Sequence, residues 1–273
     1  MKSLKLTLLL LIIFAPLLSQ NHVLTLDGDG DYISLPSAVI DGSDFSIEAW
    51  YKVQGIGEGT EGQSILFSQR SQNIGCENSA VILLAKVRES FPYAYFSIRT
   101  DLSCSQALMT EPVELNEWHH MVATLSGGIQ KLFIDGNLVA ATLNSQVGSY
   151  AENLTTIEIG RHFQDNLTYG YFFGAMDEVR VWNYGLSEDE IQSRMFDPLT
   201  GNEEGLLAYW DFESGLAVDA SQHGHDGELI GDATTVEEAL PSGVVDRWGD
   251  LNNDGELNVG DVVVLIEHIL GID

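Results

Sequence analysis

The chain has 273 residues, with 12 Lys+Arg against 41 Asp+Glu and a formal net charge of −29. A surface that acidic repels nucleic acid and anionic membrane, which excludes both as partners. The hydrophobic content of 44% is that of a globular protein, and the length allows one large domain with a small appendage.

In chain order, the first element is a leader. Lys2 and Lys5 precede a nearly unbroken apolar run from Leu6 to Leu18, and Ser19 and Gln20 follow. That order predicts a secretory signal peptide over residues 1–20, too short in its apolar part for a membrane span. The chain is therefore expected at the cell surface or outside the cell, with no membrane insertion of the mature part. In an oxidising compartment Cys76 and Cys104 are expected to form one disulfide.

From Asn21 to about Glu213 the dominant period is two. In 45–53, Phe45, Ile47, Ala49, Tyr51 and Val53 share one face, while Ser46, Glu48, Trp50 and Lys52 take the other. Similar runs occur at 64–69, 80–87, 93–100, 119–125, 131–134, 156–159, 178–182 and 206–212. Asp27-Gly28, Asp29-Gly30, Gly127-Gly128 and Asp135-Gly136 supply turns between them. Short strands at regular spacing predict an all-β, antiparallel sandwich. One short helix interrupts it, since Ser187 stands three residues before Glu190 in a capping-box spacing. Residues 221–227 read as a polar loop and 232–247 as an acidic linker.

The last segment, 248–273, carries the sharpest local motif. Asp250, Asn252 and Asp254 alternate, Gly255 follows, Glu256 offers a backbone carbonyl, Asn258 holds the ninth position and Asp261 the twelfth. Oxygens at that spacing converge on one calcium ion, and the glycine permits the sharp turn. Val262, Val263, Leu265, Ile266, Ile269 and Leu270 then give the following stretch an apolar helical face. The segment resembles a dockerin repeat, which implies a cohesin-like scaffold as a partner. Dockerins carry two such repeats and this segment shows one.

The body of the chain resembles a laminin-G-like, concanavalin A-like jelly-roll domain related to pentraxin modules. The resemblance rests on Leu26-Asp-Gly-Asp-Gly-Asp-Tyr-Ile-Ser-Leu-Pro36 with Phe45-Ser-Ile-Glu-Ala-Trp50, and on Trp118-His-His-Met-Val-Ala-Thr124 with Leu132-Phe-Ile-Asp-Gly136. It continues in Ile157-Glu-Ile-Gly160, Gly174-Ala-Met-Asp-Glu-Val-Arg-Val-Trp182 and Leu186-Ser-Glu-Asp-Glu-Ile191. It implies a jelly-roll over 21–231 and a calcium ion at the sandwich rim, held at positions matching Asp177 and Asp219. Gly205-Leu-Leu-Ala-Tyr-Trp-Asp-Phe-Glu213 normally precedes this domain in the family. Here it either completes the same sandwich in permuted order or begins a second copy; the short remaining length favours completion.

Concanavalin-type folds also host glycanases, which place two carboxylates across one glycosidic bond. Asp177 and Glu178 are adjacent and alternate along a strand, so they do not form such a pair. His119-His120 and His223-x-His225 lack a third zinc ligand. The chain is therefore expected to be a non-catalytic recognition module for a glycan or an extracellular protein, with Tyr169, Tyr171 and Phe172 as exposed ligand-binding aromatics. The alternatives are an assembly protein tethered through its tail and an accessory module of a polysaccharide-degrading system.

Overall fold

The computed structural model describes residues 21–59, 64–70, 80–88, 91–100, 103–112, 114–143, 156–164 and 167–241. The leader, Cys76 and the tail loop from Asp250 to Asp261 lie outside the described residues.

The strands in chain order are β1 (His22–Asp27), β2 (Tyr32–Ser34), β3 (Phe45–Val53), β4 (Ser64–Arg70), β5 (Ala80–Arg88), β6 (Phe91–Thr100), β7 (Ser103–Pro112), β8 (His119–Ser126) and β9 (Ile129–Ile134). They continue as β10 (Asn137–Leu143), β11 (Thr156–Ile159), β12 (Arg161–Gln164), β13 (Leu167–Tyr171), β14 (Phe173–Trp182), β15 (Leu206–Trp210), β16 (Glu228–Ile230) and β17 (Thr234–Glu237). The helix α1 (Glu188–Arg194) has Ser187 as its N-cap, and Ser187 and Glu190 close both halves of the capping box.

Two antiparallel sheets face each other. One runs β10-β9-β8-β3-β14-β1-β17, with β15 also on β14; the other runs β16-β2-β11-β4-β5-β6-β7. A separate hairpin joins β12 and β13. Alternation along β3 explains the core: Phe45, Ile47, Ala49, Tyr51 and Val53 meet Phe67, Phe96 and Ile159 of the opposite sheet in one apolar cluster. Each large side chain so buried contributes about 1.5–3 kcal/mol.

The chain after Gly205 is built into both sheets. β15 pairs with β14, β16 with β2, and β17 with β1. Residues 234–237, read from the sequence as linker, are thus a strand beside β1. Their Thr-Thr-Val-Glu pattern has no strong apolar alternation because β17 is mostly exposed at the sheet edge. β10 was also illegible, for the same reason of exposure.

The centre of the larger sheet is covered on its outer side too. Val122, Phe133, Trp182, Leu186, Ile191, Leu206 and Tyr209 form a second apolar cluster beneath α1. Beside that cluster the outward positions of β3 and β14 hold buried charges. Arg180 meets Glu48 at 3.4 Å and bonds to Glu178, and it donates to the Asp197 carbonyl at 2.8 Å. The Trp182 indole donates to Glu48 at 2.9 Å and the Tyr209 hydroxyl to Glu178 at 2.7 Å. Burial would raise the Glu48 pKa, but the Arg180 charge and the His120 ring overcome it and hold it down at about 2.

Two expectations follow. A chain ending at Thr200 loses Leu206, Tyr209, Trp210 and Phe212 from the interior, so it should be insoluble or melt far below a chain ending at Pro241. Equal melting temperatures would contradict this. Glu48→Gln should cost about 3–5 kcal/mol at neutral pH in urea titrations, because it leaves the buried Arg180 charge short of a partner. Since the folded pKa of Glu48 is depressed, its contribution is full above its unfolded value and is lost as pH falls through about 2. The gap between variant and wild type should therefore shrink on acidification; parallel curves would contradict the assignment.

Candidate functional site

The end of the sandwich formed by β2, β11 and the β12–β13 hairpin gathers an arginine, an acid and three aromatics. Glu158 alternates with Ile157 and Ile159 of the core, so it points to the open side of the smaller sheet, yet it is only 3% exposed. Gly160 follows with φ +89, and a Cβ there would come within 2.4 Å of Leu26. That glycine turns the chain so that Arg161 starts the hairpin and bonds back to Glu158. The Arg161 guanidinium lies 3.7 Å from the Tyr32 ring centre and 4.8 Å from that of Phe163. Tyr171 stands opposite Arg161 across the hairpin. Gly57 lets the neighbouring loop approach, since a Cβ there would meet the Tyr171 carbonyl at 2.1 Å.

Burial raises the Glu158 pKa, with Arg161 and Arg70 opposing in part. Burial works against the Arg161 charge, and the Glu158 carboxylate together with the Tyr32 and Tyr171 side chains outweighs it, so its pKa is raised. Tyr32, Arg161, Phe163 and Tyr171 are all partly exposed, so the rings reach the surface around a guanidinium that is itself mostly covered.

Next to this cluster is an acidic group. Asp27, Asp31 and Asp232 place carboxylate oxygens within 4.8 Å of one another, the one such group among the described residues. Gly28 and Gly30 give the intervening loop its positive φ values of 83° and 91°. Asp31 accepts from the Asp232 amide at 2.8 Å and from the Asp27 amide at 3.3 Å, and burial raises its pKa. Three carboxylates converging in a loop are a donor set that could hold a hard cation such as calcium. The Asp-Gly-Asp-Gly-Asp run was visible as turn chemistry; Asp232, some two hundred residues away, was not.

Of the aromatics expected to bind, Tyr171 belongs to the cluster. Phe172 does not: it is fully buried in the core, where no ligand can reach it. Tyr169 lies on β13. Asp177 and Asp219 have separate sets of hydrogen-bond partners. Asp177 accepts from the Asn21 amide and the Glu178 N–H, at 2.8 and 2.7 Å, and burial pushes its pKa up to about 8. Asp219 lies beyond the edge of β15 that faces away from β14, where it accepts from the N–H groups of Tyr209, Ser221 and His225 at 3.0, 2.9 and 2.8 Å. It does there what a neighbouring strand would do.

A larger cleft, about 570 Å³, opens on the outer face of the other sheet between Trp50, Phe196 and the segment 237–241. Its polar floor is already used. Both Glu178 oxygens serve Arg180 and Tyr209, and Arg180 serves Glu48, Glu178 and the Asp197 carbonyl.

A family model described as the concanavalin A-like lectin/glucanases superfamily, Laminin_G_3, matches residues 27–192, well over half of the 273. The chain belongs to that family. Among solved structures, the Laminin_G_3 chain is similar to a protein from Bacteroides ovatus described as carbohydrate-binding, at 19% identity and a TM-score of 0.59, covering 82% of this chain and 62% of that one. It thus spans less than two thirds of that neighbour's length. It is also similar to the carbohydrate-binding module of a Ruminococcus gnavus sialidase bound to α2,3-sialyllactose, at 15% identity and a TM-score of 0.50, covering 63% of this chain and 95% of that one. A heptameric pentraxin from Limulus polyphemus matches at 12% identity and a TM-score of 0.50, covering 64% of this chain and 81% of that one. At such identities the likeness is one of fold. No curated protein matches in sequence.

Asp219→Ala should cost about 2–4 kcal/mol, because it strands buried N–H donors of Tyr209 and Ser221. The loss should persist in EDTA, as urea titration with and without the chelator would register. A loss seen only in calcium would make Asp219 a metal ligand instead.

Proposed function

We propose that this Laminin_G_3 protein is an exported, non-catalytic carbohydrate-binding module that requires calcium for full stability. The observation that carries the reading is the partly exposed set of Tyr32, Phe163 and Tyr171 around the Arg161–Glu158 pair. Rings that pack on apolar sugar faces, with a few placed donors and acceptors, are what a sugar site needs. The names of the Bacteroides ovatus and Ruminococcus gnavus neighbours support the same class of ligand. Export is supported by the leader pattern in residues 1–20.

A non-catalytic role is supported by the state of the carboxylates. The oxygens of Asp177 and Glu178 are engaged in structural hydrogen bonds, which leaves neither free for proton transfer at a glycosidic oxygen. Calcium enters through the tail loop from Asp250 to Asp261, where the spacing of oxygens is the support. The same loop is the support for tethering to a cohesin-like scaffold outside the cell.

The test is a glycan array probed with the full chain in calcium and in EDTA. Binding to a defined set of glycans, weakened in EDTA, is expected. Absence of binding to every glycan in both conditions would overturn the reading.

A further inference from the structure

The ion pair at the sandwich end has two unspent valences. Glu158 receives Arg161 through Oε1, while its Oε2 has no hydrogen-bond partner in a residue that is almost wholly buried. Arg161 Nε also lacks an acceptor. Buried polar atoms in native proteins are nearly always paired, so an unmet acceptor and an unmet donor on one ion pair ask for a reason. Arg161 is also held by the Tyr171 side chain and Arg70 acts on Glu158, yet Oε2 and Nε themselves have no hydrogen-bond partner among the described residues.

The chemistry of the missing partner is constrained. Arg70 also acts on Glu158, so the pair sits among one carboxylate and two guanidinium groups. The unmet Glu158 oxygen asks for a donor and Arg161 Nε for an acceptor, a combination that neither a simple anion nor a simple cation supplies. A hydroxyl group both donates and accepts, and two hydroxyls on adjacent carbons present a donor and an acceptor side by side. The guanidinium stacks on the Tyr32 ring, and the partly exposed Phe163 ring beside it supplies an apolar surface for a sugar ring.

We infer that this cluster binds a neutral sugar through two adjacent ring hydroxyls, one donating to Glu158 Oε2 and the other accepting from Arg161 Nε. This rests on the carbohydrate-binding reading and adds the ligand class. Both atoms are closed to solvent in this structure, so the guanidinium must shift across Tyr32 as the sugar enters. Side-chain adjustments of that size are common at binding surfaces.

The inference predicts linkage selectivity. A 1,4-linked pyranose chain keeps adjacent free hydroxyls at C2 and C3 of every residue, whereas a 1,3-linked chain uses C3 and separates the remaining pair. Mild periodate cleaves adjacent diols and spares the 1,3-linked interior.

The experiment measures binding of the full chain to xylan and 1,4-linked mannan, to the same polymers after mild periodate, to a 1,3-linked β-glucan and to polygalacturonate. Xylan or mannan should bind at least about tenfold more tightly than the 1,3-linked glucan, as expected where a site built to hydrogen-bond a hydroxyl meets a ligand lacking it. Periodate should abolish that binding. Glu158→Gln and Arg161→Lys, each checked for an unchanged melting temperature, should weaken it about tenfold or more. Equal binding of periodate-treated polymer or of the 1,3-linked glucan, or a preference for polygalacturonate, would overturn the inference and leave the carbohydrate reading standing. No binding to any of these polymers would overturn the inference and leave the carbohydrate reading to the glycan array. The periodate comparison uses the unaltered protein, so it decides the matter even if the variants fold poorly.

Discussion

A guanidinium with almost no access to water must be neutralised and fully hydrogen-bonded, and Arg180 imposes that requirement on the centre of the larger sheet. It is met by Glu48 from β3, Glu178 from its own strand and the carbonyl of Asp197 beyond α1. Trp182 and Tyr209 then spend their polar atoms on the same two carboxylates. One buried charge thus fixes the relation of β3, β14, β15 and the turn after the helix. The register shift between Asp177 and Arg180, with Glu178 at φ +52, is the local bulge in β14 where this network is seated.

The same constraint separates structure from function. Because the network consumes its own polar groups, Glu178 and Arg180 on the floor of the large cleft are engaged, and the rest of its lining mixes Trp50, Phe196 and Leu240 with Asn21, Asp197, Glu237 and Glu238. At the hairpin end the accounting differs: Glu158 and Arg161 form a pair with one oxygen and one N–H left over, between partly exposed rings. The position of that pair depends on two glycines, at 57 and 160, that allow backbone to approach where a Cβ would collide. Asp31 stands immediately before Tyr32, so the acidic group and the aromatic cluster are anchored by one short segment.

Much of the fold was legible. Alternation in 45–53 and the capping box at Ser187 both describe what the structure contains, because each is a local pattern with one physical cause. Positions decided by distant packing were not legible. Glu158 looks solvent-facing by period and is buried by the elements around it, as Glu48 is by the network it joins. Phe172 adjoins two partly exposed residues and lies in the core. The convergence of Asp27, Asp31 and Asp232 depends on β16 and β17 returning to β2 and β1, which no local pattern announces.

In the proposed function, sugar binds at the sandwich end carrying Tyr32, Glu158, Arg161 and Phe163. Hydrogen exchange of the full chain, with and without saturating xylohexaose, locates the contact directly. Added protection is expected in 32–34, 156–163 and 170–171. Protection confined to 194–198 and 237–241, around the cleft on the opposite sheet, would contradict it.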